Sequence, residues 1–311
     1  SSVQDAYYLG LVSHLSTLEA SLPFMHFFDG FRTSHEINKI DIFDEEEVKP
    51  LVPHEAIDKF RKRALNNENP VTRGTNQNPD IYFQMMESRN TYYDKAVDIV
   101  EKNMNKINKL AHTDYKPFNY HGNEKATKVI VAMGSVCETI KEYLSVNSEY
   151  GLIEVHLYRP FSKNKLLEVL PSTVKKVAVL DRTKESGSIG EPLYLDVVSL
   201  YNDKKEKPRI VGGRFGLSSK DTNASHIKAV YDFLGKNAFN GFTIGIDDDV
   251  TNLSIPVKEY HTKKEKEEFL IYGYGSDGMI SASKDILKLV GDNTDKFVQG
   301  YYQYDSKKSG G

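Results

Sequence analysis

The chain has 311 residues, of which 39% are hydrophobic and 27% are charged, and its formal net charge is −3. This composition predicts a soluble globular protein of about two domains and argues against disorder and against nucleic-acid binding, which needs a basic field. A single cysteine, Cys137, excludes a disulfide or a Cys-rich metal or iron–sulfur site held within the chain, and no apolar run reaches the ~20 residues of a membrane span.

The first eighty residues predict helices joined by long connections. Leu9 to Leu18 predict a helix, and SLPFMHFFDGF (21–31) predicts a short buried strand. A further helix is expected where Pro53 precedes Ala56, Phe60 and Ala64, whereas the rest of residues 41–80, with an acidic run and four prolines, predicts long ordered connections.

The stretch HFFDGFRTSHEI (26–37) concentrates polar side chains. Thr33 followed by Glu36 favours a helix start with Thr33 as N-cap. Arg32 is expected either to bind a carboxylate or phosphate or to brace a domain interface. His26 and His35 do not have helical spacing, so we expect no metal here.

The middle of the chain alternates between strands and helices. An amphipathic helix is predicted from Tyr93 to Leu110, and residues 258–268, which are highly charged, predict a linker. Between them, strands are predicted at KVIVAM, GLIEVHLY, KKVAVLD, PRIVGG and FTIGI, and helices at 137–145, 163–169, 191–201 and 223–234. Strands separated by helices predict an α/β fold with a parallel sheet covered on both faces.

Two further features allow a functional or a structural interpretation. Cys137 follows a predicted strand and opens a predicted helix, and a helix N-terminus lowers the pKa of a thiol. A reactive thiol also needs a base, and because no local histidine supplies one, a buried structural cysteine is favoured. The segment DRTKESGSIGEP (181–192) starts where a predicted strand ends. It either lines a site or packs against another domain.

A glycine-rich motif near the end of the chain predicts a phosphate site. The apolar run Phe269–Tyr272 predicts a strand, Met279 to Val290 predict a helix that Gly291 ends, and a second strand is expected near Phe297. Between strand and helix lie Gly273, Gly275 and Gly278, spaced as in nucleotide-binding βαβ units. The unit looks unfinished, and the first residue is serine, so we expect an excised part of a larger protein.

Two lysines influence which nucleotide is expected. Asp305 is available for a ribose hydroxyl, but Lys307 and Lys308 follow closely, and ammonium groups suit an additional phosphate better. The motif therefore favours coenzyme A or NADP over NAD. The alternative is that both lysines are solvated at the end of a loop.

Long stretches of the chain resemble one family. FDGFRTSHEI, TRGTNQNPDIYFQ, LYRPFS, VLDRTKESGSIGEPLYLDV, GGRFGLSSK, FTIGIDDDVTNLS, GYGSDGM and GYYQYDSKKSGG, in this order, resemble the central part of pyruvate:ferredoxin oxidoreductases. The resemblance implies that residues 1–122 are the later part of a pyrimidine-binding-type domain I with long connections. It implies a transketolase C-terminal-like domain II at 123–265, and the truncated start of a coenzyme A-associated domain III at 266–311.

The resemblance also implies a function, which is the oxidative decarboxylation of pyruvate with coenzyme A to acetyl-CoA and CO2, with reduction of ferredoxin. Thiamine diphosphate, Mg2+ and [4Fe-4S] clusters would belong to the full protein only, and this segment alone would be inactive, without catalytic or metal-binding residues. Ser276 and Met279 depart from the residues that the family often carries around the glycine loop. The candidate residues for coenzyme A are Gly273, Gly275, Ser276, Asp277, Gly278, Lys284, Lys307 and Lys308.

The expected partners are the remaining domains of the parent enzyme, a second copy in a homodimer, and ferredoxin or a fused NADPH-reductase domain. No nucleic acid or membrane is expected. A cytoplasmic location is the default, and a hydrogenosome-type organelle is the alternative. Two other functions stay open: a segment of a pyruvate:NADP+ oxidoreductase fusion, and a non-catalytic scaffold or assembly module.

Overall fold

The computed structural model describes residues 2–71, 76–262 and 267–303. Within the first 111 residues the elements are α1 Val3–Ala20, β1 Glu36–Asn38, α2 Glu45–Val48, α3 His54–Lys62, α4 Pro79–Ser88 and α5 Asn90–Ala111. The expected helices near 9–18, after Pro53 and over 93–110 are therefore confirmed as α1, α3 and α5.

Helices α1 and α5 pack against each other. At the start of α1, Ser2 accepts a hydrogen bond from the Asp5 N–H and the Asp5 carboxylate accepts one from the Ser2 N–H, a reciprocal cap that satisfies two exposed donors. The apolar face of α1, with Tyr8 and Val12, meets Met104 and Ile107 of α5 in one buried cluster. Their 3.6-residue spacing is the pattern that predicts both helices.

The expected buried strand at 21–31 is wrong. Residues 22–29 form neither helix nor strand, and Met25 and Phe27 are 85% and 57% exposed. The expected helix at Thr33 is also wrong, because only a three-residue 3-10 turn forms there before the chain becomes extended at Glu36 and pairs in β1. Strand pairing satisfies the backbone groups that a longer helix would otherwise have satisfied.

Residues 118–243 form a six-stranded sheet. Its elements are β2 Phe118–Gly122, β3 Lys128–Ala132, α6 Val136–Leu144, β4 Gly151–Val155, α7 Lys163–Val169, β5 Lys176–Asp181, α8 Pro192–Ser199, β6 Arg209–Arg214, α9 Ala224–Leu234 and β7 Phe242–Thr243. The strand order is β2-β4-β3-β5-β6-β7, and only β2 runs antiparallel to its neighbour. The predicted parallel α/β sheet is thus confirmed.

Helices cover both faces of this sheet. In β3, Ile130 and Ala132 belong to the core that includes residues of α6 and α9, whereas Val129 and Val131 belong to the core that includes residues of α7 and α8. Alternate side chains of a strand point to opposite faces, so four successive apolar residues in β3, from Val129 to Ala132, require a covering layer on each side.

The last elements are α10 Met279–Asn293 and β8 Gln299–Tyr301. The expected βαβ unit is wrong: Phe269–Tyr272 forms no strand, and β8 pairs antiparallel with β1. Gly291 lies inside α10 and does not end it. A Cβ there would come within 2.9 Å of Val298 Cγ2, so Gly291 allows the helix to lie close to the segment before β8.

The expected domain boundaries stay predictions. The sheet already starts at Phe118, before the expected boundary at 122/123. In the expected linker 258–268, residues 263–266 lie outside the described residues, whereas Tyr260 packs on the sheet core and its N–H donates to Ser225 Oγ at 2.9 Å.

Candidate functional site

The glycine motif forms an exposed turn before α10. Gly275 and Gly278 have φ values of +80° and +84°, a region that glycine enters without strain, and Ser276 adopts φ +54°. A Cβ on Gly273 would lie 3.1 Å from the Met279 Cβ. Two of the three glycines are therefore required by the backbone and the third by close packing against the start of the helix.

Asp277 fixes this turn. Its carboxylate accepts hydrogen bonds from the Tyr274 N–H at 2.8 Å and from the Met279 N–H at 3.1 Å, and these two donors lower its pKa. A negative charge thus already lies at the N-terminus of α10, where the helix dipole favours it. Any phosphate bound here would have to use the remaining N–H groups beside this carboxylate.

The lysines expected at this site are distributed differently. Lys284 lies on α10, exposed, with its Nζ 5.4 Å from the centroid of the Tyr302 ring. Lys307 and Lys308 lie outside the described residues. Lys284 thus lies on the helix that follows the turn, and the expectation for the other two lysines stays a prediction.

A second polar site lies at the carboxyl ends of β3 and β5. The chain leaves β3 toward its neighbour β4, and it leaves β5 in the opposite direction, toward β6. The crevice between β3 and β5 is therefore the switch point, the place at which parallel sheets usually bind ligands. Gly134 and Ser135 follow β3, and Arg182 follows β5. Burial raises the pKa of the neighbouring Asp181 to about 6, although the N–H groups of α8 donate to it.

Asp29, from the irregular segment after α1, fills this crevice. Its carboxylate accepts the Ser135 N–H at the start of α6 and lies 3.3 Å from Arg182 Nε. A Cβ on Gly134, whose φ is +83°, would come within 2.6 Å of the same carboxylate. The protein therefore places its own anion at the helix N-terminus, which makes this site an interface between two parts of the chain.

Arg32 extends the interface. Its guanidinium donates to the Ser219 carbonyl at 2.6 Å, pairs with Asp221 at 3.0 Å and lies 4.7 Å from the centroid of the Tyr301 ring. One side chain thus links the segment before β1, the loop after β6 and strand β8. Of the two roles expected for Arg32, the structure supports that of bracing an interface. The position of Arg182 in the same interface likewise supports the interpretation that the segment 181–192 packs against another domain.

We expect the substitution Asp29→Ala to detach this segment from the sheet edge. Hydrogen bonds to a charged group contribute about 1.5–3 kcal/mol, so exchange of the Ser135 amide should accelerate about tenfold or more. Hydrogen-exchange mass spectrometry checks this, with Asp41→Ala, an exposed carboxylate, as the matched control. Unchanged exchange at Ser135 in the Asp29 variant would show that the carboxylate does not hold the segment.

A buried ionic network lies beneath α1 and α6. The carboxylates of Asp5, Glu138 and Glu154 lie within 4.8 Å of one another. Lys141 Nζ is 2.7 Å from Glu138 Oε1 and 3.4 Å from Glu154 Oε2, and His121 Nε2 donates to Glu154 at 2.9 Å. An ammonium group already supplies a positive charge among these carboxylates, so the cluster forms an ion-pair network.

Cys137 belongs to the sheet core and is fully buried. Burial, and then the nearby Glu154 carboxylate, raise its pKa well above the ordinary value. The structural interpretation is confirmed, and the start of α6 does not activate this thiol.

A thiol reagent such as DTNB should therefore leave the native protein unlabelled and react with one thiol per chain after denaturation. Absorbance of the released product measures this. Stoichiometric labelling of the native protein within minutes would contradict it, because a buried thiol of raised pKa supplies almost no thiolate.

The sequence points to the segment 181–192 as one that lines a site or packs against another domain, but it does not point to Gly134-Ser135 or to the ionic network. Gly134-Ser135 and Arg182 each follow a predicted strand, and the switch-point rule groups the ends of such strands. No sequence signal links Asp29 to Ser135, because 106 positions separate them. Asp5, Glu138 and Glu154 likewise come from three different elements.

Comparison with known proteins identifies the family. Residues 1–105 match the family described as "Pyruvate flavodoxin/ferredoxin oxidoreductase, thiamine diP-bdg", and residues 126–227 match "Pyruvate:ferredoxin oxidoreductase core domain II". A pyruvate:ferredoxin oxidoreductase of Moorella thermoacetica is 51% identical over the whole of this chain. The chain belongs to the pyruvate:ferredoxin oxidoreductase family.

Other relatives in this family are also much longer than the chain. A pyruvate-flavodoxin oxidoreductase of Enterobacter agglomerans is 47% identical, and the chain spans 27% of its length, as it does of the Moorella protein. A pyruvate dehydrogenase [NADP(+)] of Cryptosporidium parvum is 44% identical, and the chain spans 17% of it.

One solved structure with a partial match is a 2-oxoglutarate:ferredoxin oxidoreductase of Magnetococcus marinus with 2-oxoglutarate, coenzyme A and succinyl-CoA bound. The match covers 50% of this chain and 24% of the chain in that structure. The identity is 16% and the TM-score 0.29, which is too low to support an inference. Within the described ranges, no helix is both long and apolar enough for a bilayer crossing.

Proposed function

We propose that this chain is part of an enzyme that oxidatively decarboxylates pyruvate with coenzyme A to acetyl-CoA and CO2 and passes the electrons to ferredoxin or flavodoxin. The observation that carries the proposal is the 51% identity to a pyruvate:ferredoxin oxidoreductase over the whole chain, with two family matches in succession. In such an enzyme, thiamine diphosphate would supply the carbanion that attacks the keto carbon. Thiamine diphosphate, Mg2+ and [4Fe-4S] clusters would be bound in the full-length protein.

The contribution of this chain would be a scaffold, a domain interface and part of a coenzyme A site. The geometry of the interface supports this role, since Asp29 and Arg32 join the segment after α1 to the sheet edge and to β8. The three domains would be residues 1–122, 123–265 and 266–311, with the remaining domains of the parent enzyme packed around them.

The coenzyme A site would lie at the turn 273–278. Gly275, Ser276 and Gly278 have positive φ values and are exposed to solvent, and Lys284 lies on α10, the helix that follows the turn. Backbone N–H groups and a nearby ammonium group are suited to a diphosphate. Asp277 would hold the shape of the turn, and Lys307 and Lys308 would add charge for a further phosphate.

Steady-state kinetics of the full-length enzyme with the substitution Lys284→Gln tests this site. Loss of one ammonium–phosphate contact should raise KM for coenzyme A about tenfold, which corresponds to about 1.4 kcal/mol, and leave kcat within about twofold. Lys288→Gln, an exposed lysine on the same helix, is the matched control. An unchanged KM in the Lys284 variant would remove Lys284 from the site.

Alone, this chain would lack oxidoreductase activity. Purified 311-residue protein, supplied with thiamine diphosphate, Mg2+, coenzyme A, pyruvate and an electron acceptor, should reduce no acceptor above the rate of the protein-free mixture. Measurable pyruvate-dependent reduction would overturn the proposal that the catalytic apparatus lies elsewhere in the parent enzyme.

A fused pyruvate:NADP+ oxidoreductase is the second candidate, favoured by the 44% identity to the pyruvate dehydrogenase [NADP(+)]. The parent sequence beyond residue 311 separates the two, because the fusion would carry a flavin- and NADP-binding extension. Ferredoxin would be the partner in one case and a fused NADPH-reductase domain in the other.

A non-catalytic scaffold is the third candidate. Two observations favour it: Asp277 already lies at the N-terminus of α10, and Asp29 fills the switch-point crevice. Titration of coenzyme A into a chain extended through a complete third domain separates the candidates. Absence of binding there, together with binding to the whole enzyme, would favour the scaffold.

The parent enzyme would be a homodimer of the cytoplasm or of a hydrogenosome-type organelle.

A further inference from the structure

A cavity of about 810 Å3 lies between the C-terminal end of α1, helix α3 and the middle of α5. None of its lining residues belongs to the glycine turn, the switch-point site or the buried ionic network. Its volume lies within the range of sites that bind small molecules.

The wall of this cavity is strongly basic. Two carboxylates, from Glu19 and Glu55, reach it, against five cations, which leaves an excess of three positive charges in a protein whose net charge is −3. A concave site of one sign concentrates field lines and attracts ions of the opposite sign. The cations are Lys59, Lys62, Arg63, Lys102 and Lys106.

Glu19 holds two of these cations in place. Its carboxylate, 12% exposed, accepts hydrogen bonds from Lys102 Nζ at 2.9 Å and from Lys106 Nζ at 2.8 Å. Burial of Glu19 opposes its ionisation, but these two donors outweigh burial and lower its pKa. One carboxylate between two ammonium groups leaves one positive charge uncompensated at a fixed position on the cavity wall.

Helix α3 supplies the opposite wall. Lys59 and Lys62 are exposed, and neither has an ion-pair partner in the described part of the chain. Arg63 is oriented by its bond from Nη2 to Ser21 Oγ at 3.1 Å. The N-terminal end of α3, at His54, also lines the cavity and adds the partial positive charge of a helix terminus.

We propose that this cavity binds a small phosphate-bearing anion with at least two negative charges. Like charges that face one another across a concave site repel, and a bound polyanion removes that repulsion. Four of the five cations are ammonium groups, which act as point charges that a tetrahedral phosphate can approach from several directions. A planar carboxylate is matched by the fork of an arginine, and only Arg63 offers one here.

Calorimetric titration of inorganic pyrophosphate into the 311-residue protein tests the proposal. We expect one site with Kd below about 1 mM, weakened about tenfold or more in the double variant Lys59→Gln/Lys62→Gln, since about 1.4 kcal/mol corresponds to a factor of ten. The matched control is Lys205→Gln/Lys207→Gln, two exposed lysines on the turn between α8 and β6. Its affinity should stay within twofold of the unmodified protein.

Any of these results would overturn the proposal: no heat of binding at millimolar pyrophosphate, equal affinity in the Lys59/Lys62 variant, equal weakening in the control, or citrate binding at least as tightly as pyrophosphate. A Lys284→Gln arm separates this site from the proposed coenzyme A site. Loss of pyrophosphate binding in that arm would assign the ligand to the glycine turn and remove it from the cavity. Equal urea midpoints for all variants exclude unfolding as the cause of weaker binding.

Discussion

Replacing Glu154 by glutamine will lower the free energy of unfolding by about 3 kcal/mol or more, because removal of one partner leaves the others buried and uncompensated. The Glu154 side chain is 4% exposed and lies within 3.4 Å of Lys141 Nζ. Glutamine keeps the volume but cannot neutralise the ammonium group. Urea unfolding followed by circular dichroism measures the loss.

Glu138→Gln is the matched control within the same network. Glu138 also pairs with Lys141, but its side chain is 43% exposed against 4% for Glu154, so less of the Glu138 carboxylate is desolvated and the loss should stay below about 1 kcal/mol. Equal losses in the Glu138 and Glu154 variants would contradict the assignment of the buried carboxylate as the centre of the network.

The effect of the Glu154 variant should depend on pH. Burial alone would raise the pKa of Glu154, but the hydrogen bond from His121, the nearby His156 imidazole and the charge of Lys141 hold it well below the ordinary range. Its contribution is therefore complete above the unfolded-state pKa of about 4.3 and falls by about 1.4 kcal/mol per pH unit below it. The difference between unmodified and variant protein should shrink from pH 5 to pH 3, and a constant difference would contradict this.

The substitution Tyr231→Ala should lower the free energy of unfolding by about 3–5 kcal/mol, the range for truncating a large buried aromatic side chain. Tyr231 on α9 is fully buried, and its ring stacks on Tyr150 with centroids 4.3 Å apart and on Tyr143 with centroids 5.6 Å apart. Its hydroxyl donates to the Gly151 carbonyl at 2.8 Å, which fixes the helix against β4.

Tyr231→Phe separates the ring from its hydroxyl. Phenylalanine keeps the stacking and loses one hydrogen bond, so the loss should be about 1 kcal/mol. Tyr274→Ala, at a position 91% exposed, should leave the urea midpoint unchanged. A Tyr231→Ala loss no larger than that of Tyr231→Phe would show that the stack does not support the core.

The two polar sites of the chain differ in what they can still bind. At the switch point, the Asp29 carboxylate occupies the helix N-terminus and a side chain on Gly134 would collide with it. At the glycine turn, Asp277 uses two N–H groups but the surrounding backbone stays exposed. Coenzyme A therefore has better access to the turn than to the switch point, and this difference favours the turn as the proposed coenzyme A site.

The central sheet could be predicted from local signals. Continuous apolar runs such as 129–133 and 177–180, separated by amphipathic segments, favour a parallel sheet with helices on both faces. The long helix α5 follows from the same reasoning, because its apolar residues recur at helical spacing. These patterns are repeated over many residues, so one residue that departs from the pattern does not change the predicted strand or helix.

By itself, the sequence determined the α/β fold class, the alternation of strands and helices from β3 to β7, the burial of Cys137 and the family, because each rests on patterns that are contiguous in the chain. The tertiary structure alone decided how the glycine motif is used and where polar side chains meet. Phe269–Tyr272 has strand-like composition but no neighbouring strand, and β8 pairs with β1 from the other end of the chain. Asp29 reaches Ser135 and Glu19 reaches Lys106 for the same reason: charge and hydrogen bonding act between groups close in space, whatever their separation in sequence.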